Sequence, residues 1–159
     1  MKITIISVGK LKEKYLVDGI QEYKKRISKY SEINEIVLKD EPIPEKSNDS
    51  IDNDIKVKEG KKILDSIPQS SFVVTLDLRG HMLDSVELAK KIEDIKTYNN
   101  SHIVFIIGGS LGISKDVLDR ADYSLCFSKM TFPHQLMKLI LMEQIYRAFK
   151  INNNETYHK

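Results

Sequence analysis

Short apolar runs and helical apolar stripes take turns along this chain. Lys2–Val8 (KITIISV) is β-branched and closed by Gly9, the pattern of a buried strand. From Leu11 to Tyr30 the apolar positions Leu16, Ile20, Tyr23, Ile27 and Tyr30 recur at spacings of three and four, which predicts an amphipathic helix. Its other face carries Lys24, Lys25, Arg26 and Lys29. Ile33–Leu38 reads as a second strand. Asp40–Asp54, with two prolines and a surplus of acids, reads as a mobile loop, and Ile55–Ser66 as a helix ending near Pro68. Phe72–Leu76 is a third strand, followed by a turn at Asp77-Leu78-Arg79-Gly80. Asp84 stands three residues before Glu87, the spacing of a reciprocal helix cap, and that helix runs to Tyr98. His102–Ile107 is a fourth strand, Gly108–Ile113 a loop, Ser114 the cap of a short helix, and Tyr123–Phe127 a fifth strand. Pro133 suits the first turn of a last helix, which continues to Lys150. Strands alternating with helices predict an α/β fold: a mostly parallel sheet with helices on both faces.

The last helix departs from the one-sided pattern. Leu136, Met137, Leu139, Ile140, Leu141, Met142, Ile145, Tyr146, Ala148 and Phe149 point all round its wheel. Such a helix must be covered on more than one side. The sheet covers one; a central position in the chain or a second subunit covers the other. The block Phe127–Phe149 and the tail ending Tyr157-His158 therefore read as a ligand loop, a subunit interface and a substrate-facing arm.

The chain has 159 residues, enough for one domain (1–159) with a substantial core. No apolar run approaches the roughly 20 residues that span a bilayer, and the N-terminus lacks the pattern of a signal peptide, so no membrane association is expected. A net charge of +2 is weak for gripping long naked nucleic acid, so any RNA recognition is local or rests on a structured target. The lysines and Arg26 on the first helix are a solvated face or an RNA contact. The single cysteine, Cys126, forms no internal disulfide, which fits a reducing cytoplasm, and its apolar surroundings suit an inert core thiol. His81, His102, His134 and His158 are scattered without ligand spacing, so no metal is expected.

The candidate chemistry lies in three loops that follow strands: Asp77–Gly80, Gly108–Gly112 and Ser128–Phe132. Ligands of open α/β sheets bind beyond the carboxyl ends of the strands. Gly108, Gly109 and Gly112 form a tight turn or allow a ligand close to the backbone. GGSLG is neither G-x-G-x-x-G nor a P-loop, which disfavours a dinucleotide or nucleoside-triphosphate site. His134 falls in the first turn of the last helix, beside this region. Glu143 and Arg147, at i and i+4, pair within the helix or serve catalysis. The polar tail INNNETYHK frays unless Tyr157 and His158 are held. An aromatic can stack on an unpaired base, and a histidine can contact phosphate or move a proton.

LDLRG (Leu76–Gly80), FIIGGSLG (Phe105–Gly112), SKMTFPHQL (Ser128–Leu136), EQIYRA (Glu143–Ala148) and the terminal YHK resemble the small SPOUT-class methyltransferases that modify pseudouridine in bacterial large-subunit ribosomal RNA. Order and spacing match over nearly the whole chain. The resemblance implies a C-terminal trefoil knot, a homodimer and S-adenosylmethionine as donor. It also implies methylation at N3 of a pseudouridine in 23S rRNA on the assembled ribosome. By position, Leu76, Gly108, Phe127, Ser128, Lys129, Met130, Thr131 and Phe132 would cradle the cofactor. His134, Arg147, Tyr157 and His158 map to the substrate side as the catalytic set. Two positions depart from the pattern. Lys138 stands where such enzymes carry arginine, keeping the charge but losing the planar fork that grips phosphate. Thr156 replaces the usual proline before Tyr157, leaving the tail less pre-organised. The rival readings are a non-catalytic ribosome-binding or assembly factor on the same scaffold, and a SPOUT methyltransferase acting on tRNA.

Overall fold

The computed structural model describes residues 1–159. Strands and helices alternate strictly: β1 (Lys2–Val8), α1 (Lys14–Ile27), β2 (Glu32–Leu38), α2 (Asp49–Ser66), β3 (Phe72–Met82), α3 (Ser85–Tyr98), β4 (His102–Ile107), α4 (Lys115–Arg120), β5 (Tyr123–Cys126) and α5 (His134–Asn152). The strands form one sheet, parallel throughout, in the order β2-β1-β4-β3-β5.

Pleating explains why the central strands read as unbroken apolar runs. Along β1, Ile3 and Ile5 enter one core, while Ile6 and Val8 enter the other. Along β4, Ile103, Phe105 and Ile107 oppose Val104 and Ile106 in the same way. Both faces are covered, as in parallel sheets generally. The larger core takes Ile20 of α1, Ile92 of α3 and Ile145 of α5; the smaller takes Ile63 of α2 and Val117 of α4. No helix is long and apolar enough to cross a membrane.

α5 packs between α1 and α3 as well as against the sheet. Leu141, Met142 and Ile145 are fully buried there. Half of the ten apolar residues that point round its wheel are thus buried within the chain, while Leu136, Met137, Leu139, Ile140 and Tyr146 stay partly exposed.

Several boundaries differ from the sequence expectation, each for a local reason. α1 starts at Lys14 rather than Leu11, because Gly9 adopts a left-handed φ of 94° and the following residues leave as a loop. α2 starts at Asp49, inside the segment expected to be a mobile loop. The Asn48 side chain accepts the Ile51 N–H at 2.9 Å, and Asp49 and Asp52 sit at the positive end of the helix. β3 continues to Met82 with an excursion where a simple turn was expected. Leu76 and His81 both oppose Leu125, so residues 77–80 leave the ladder and the strand then rejoins it. The Asp84–Glu87 reciprocal cap and the Ser114 cap form as the spacing predicts. β5 ends at Cys126, and Pro133 immediately precedes α5, its carbonyl accepting the Met137 N–H.

Lys138 requires a larger correction. It is 2% exposed; its Nζ lies 2.6 Å from Glu35 on β2 and donates to Ser7 Oγ on β1 at 3.3 Å. An ammonium held inside cannot grip phosphate, so its difference from arginine bears on packing and not on RNA contact. Lys24 also reaches Glu35, at 3.3 Å. Burial pushes the Glu35 carboxyl up, yet the two ammoniums outweigh burial and hold it below the usual carboxylate range.

A cleft at the strand ends and a cluster on the last helix

Beyond the carboxyl ends of β3, β4 and β5 the loops part around a cleft of about 500 Å³, within the rough 300–1,000 Å³ of small-molecule sites. The β3 excursion contributes Leu76, Asp77 and Leu78; residues 108–113 form a second wall; Phe127, Ser128 and residues 130–134 form the third. Leu125 and Cys126 lie beneath.

The glycine loop is a tight turn, and that turn is itself a wall of the cleft. A Cβ on Gly108 would stand 2.8 Å from Ile113 Cγ1 and 2.9 Å from the Gly112 carbonyl oxygen. Gly112, at φ 89°, donates its N–H to the Gly109 carbonyl at 3.0 Å. The opposite wall is fixed by Ser128, whose Oγ accepts the Met130 N–H at 3.0 Å. Cys126 is 4% exposed and donates its thiol hydrogen to the Ser128 carbonyl at 3.0 Å. It is a structural thiol in the floor.

Of the residues expected around a ligand, Leu76, Gly108, Phe127, Ser128, Met130, Thr131 and Phe132 line the cleft, and so does His134. The Lys129 side chain does not: it is exposed and outside the lining. Cys126 and Met137 belong to the lining although sequence reasoning did not place them there. Met137 was within reach, because i+3 from His134 falls on the same helix face. Asp77 entered the expectation only as part of its loop; in the structure it pairs with Arg79 at 3.3 Å on the cleft wall.

The other three residues of the expected catalytic set lie elsewhere. Arg147 Nη2 meets Glu143 Oε1 at 2.5 Å and its Nε reaches the same oxygen at 3.1 Å. The i, i+4 pair therefore forms within the helix, and it also organises the tail. Tyr157 donates its hydroxyl to Glu143 at 3.0 Å, with the Arg147 guanidinium 4.8 Å above its ring. Arg147 Nη1 approaches His158 Nδ1 at 3.2 Å. A guanidinium can only donate, so this Nδ1 accepts and Nε2 carries the ring proton. Burial first, and then Tyr23 and Glu143, push the Tyr157 phenol up to about 12. At neutral pH it is a donor and not a base. The tail, expected to fray unless Tyr157 and His158 are held, is also fastened through Glu155, which Lys150 meets at 2.6 Å and Tyr30 at 2.8 Å.

His134 opens α5 and Arg147 lies in its C-terminal half, about 20 Å further along the axis at about 1.5 Å per residue. One chain does not gather the four residues into a single site. It builds a cleft with a histidine at the start of a helix and an Arg–Tyr–His cluster further along it.

Residues 1–158 match the family described as "Predicted SPOUT methyltransferase". Proteins called ribosomal RNA large subunit methyltransferase H align with the chain over 159 residues, covering all of both sequences. Identity is 57% for the one from Clostridium botulinum (strain Alaska E43 / Type E3), 58% for Alkaliphilus oremlandii and 56% for Clostridium acetobutylicum.

Proposed function

The chain belongs to the SPOUT methyltransferase family, and on that premise we propose that it methylates large-subunit ribosomal RNA with S-adenosylmethionine as donor. The acceptor in this reading is N3 of a pseudouridine in 23S rRNA, presented by the assembled ribosome in the cytoplasm. The supporting observation is the cleft. Its turn-built backbone walls, apolar lining and lack of a phosphate-binding motif suit an uncharged nucleoside carrying a short sulfonium arm. An assembly factor has no need of such a cavity. The names of the relatives favour ribosomal over transfer RNA.

Leu76, Gly108, Phe127, Ser128, Met130, Thr131 and Phe132 would hold the donor through backbone groups and apolar contact; Lys129 adds its backbone alone. Bound there, the donor supplies a methyl carbon made electrophilic by its sulfonium, so the protein's main task is alignment. The neutral ring nitrogen carries a proton that must leave as it takes the methyl. In this reading His134, which lines the cleft, accepts it. Arg147 offsets the negative charge that develops on the ring. Tyr157 holds the base by stacking or by its hydroxyl, and His158, its Nδ1 engaged, offers its Nε2–H.

Because one chain keeps these groups about 20 Å apart, the reading includes a homodimer in which one protomer's tail cluster closes the other's cleft. It also includes the family's C-terminal trefoil knot, within one domain over residues 1–159.

The test is methyl transfer from labelled donor to intact ribosomes, separated subunits and tRNA, with the modified base mapped, alongside calorimetry with S-adenosylmethionine. Label at a pseudouridine N3 in ribosomes is the expected result. Absence of donor binding would leave the assembly factor, and label in tRNA would reassign the substrate. Within the same assay, Gly108→Ala is expected to weaken donor binding roughly 5- to 150-fold, since the forced Cβ meets backbone and overpacking costs about 1–3 kcal/mol. An unchanged dissociation constant would remove that turn from the donor site.

A further inference from the structure

The loop between β1 and α1 is tied to the His134 end of the cleft. The Gly9 backbone lies against the imidazole: a Cβ there would be 3.3 Å from His134 Nε2. One residue on, the Lys10 carbonyl accepts from Gln135 Nε2 at 3.3 Å. From this tether the chain runs K-L-K-E-K-Y. Lys10 and Lys12 are exposed and engaged in no ion pair, whereas Lys14 is held by Asp18 at 2.5 Å. Tyr15 closes the segment with 67% of its surface exposed, a large aromatic group that no packing explains.

The cations further along α1 differ. Lys24 and Arg26 are answered by Glu35 and Glu22, while Lys25 and Lys29 stand at the end of α1 remote from the cleft. Free ammoniums beside an exposed aromatic ring are what phosphates and an unpaired base require of a protein surface. Lys10, Lys12 and Tyr15 bring both kinds of group together in one short segment tethered beside the cleft-lining His134.

We propose that Lys10, Lys12 and Tyr15 form an RNA-contacting lip beside His134, the lysines taking backbone phosphates next to the methylated nucleotide and the tyrosine stacking on an unpaired base. This rests on the reading of the acceptor as RNA and assigns the surface that receives it.

The experiment compares wild type, Lys10→Ala/Lys12→Ala, Lys10→Arg/Lys12→Arg and Tyr15→Ala on intact ribosomes over a range of KCl. Donor affinity is followed by calorimetry and folding by thermal melting. The double alanine variant is expected to raise the ribosome KM about tenfold and to flatten the log KM against log salt slope by about 1.5, with donor affinity unchanged. The arginine variant restores both. Tyr15→Ala raises KM roughly 5- to 150-fold without altering the slope. Wild-type KM in both alanine variants overturns the lip. So does a raised KM with an unaltered slope in the lysine variant, which marks a fold effect or a contact with ribosomal protein. A wild-type enzyme that transfers no methyl to RNA rejects the proposed function instead, so the two failures are distinguishable.

Discussion

Lys138→Met is expected to cost about 3–5 kcal/mol of folding stability at neutral pH, measured by denaturant unfolding at fixed protein concentration. The substitution leaves Glu35 in a site where its side chain is 14% exposed. Lys24, at 3.3 Å and itself partly exposed, remains as its partial counterion, which places the loss toward the lower end of that range. The cost arises from the orphaned carboxylate and not from a missing attraction alone. The double change Glu35→Leu/Lys138→Met should therefore recover most of it, because apolar replacement of a buried pair is often neutral. Lys138→Arg keeps the charge and should retain most of the stability.

The pH dependence has a definite sign. The folded protein holds the Glu35 carboxyl below its ordinary value of 4.5. Its contribution is complete above that value and disappears as pH falls through the depressed one. Wild type and Glu35→Gln should thus converge in stability below about pH 4.5. A gap that stays constant through this range would show that the pair does not stabilise the fold.

Arg147→Ala should lower methyl transfer by about 10²–10³-fold while donor affinity stays near wild type. Arg147 meets Glu143 through two nitrogens, His158 through a third, and the face of Tyr157. In the proposed mechanism its removal uncovers the charge developing on the base, and it also takes away the contacts that hold the tail. Lysine should restore little, since a single ammonium cannot serve a fork and an aromatic face together. Mixed dimers carrying Arg147→Ala on one chain and Gly108→Ala on the other distinguish the two ways of completing the site. If the tail acts across the dimer, one intact site per mixed dimer returns. If recovery fails, cleft and cluster belong to the same chain.

The central strands were legible because burial on both faces writes an uninterrupted apolar run, and Lys2–Val8 and His102–Ile107 appear with those bounds. The caps at Asp84 and Ser114 were legible because their partners are three residues away. Asn48 offered the same kind of signal, masked by prolines and acids that resembled a loop. Long-range facts were not legible. Nothing near Lys138 in sequence announces Glu35 as its partner, and an all-round apolar helix does not say that α1 and α3 flank it. Carrying a site over by motif named seven residues that line one cleft, but could not show that the Lys129 side chain is exposed to solvent. The separation of His134 from Arg147 was available by counting helical turns. It became decisive only when the same helix proved continuous between them.

The floor of the cleft holds the protein's sole sulfhydryl, Cys126, nearly closed off and hydrogen-bonded to the wall that a ligand would press upon. A colorimetric disulfide reagent has one target in each chain, and that target belongs to the cavity lining. Its reaction rate is therefore a gauge of occupancy: protection by a small molecule reports that the chamber is filled, with no label attached and no residue exchanged.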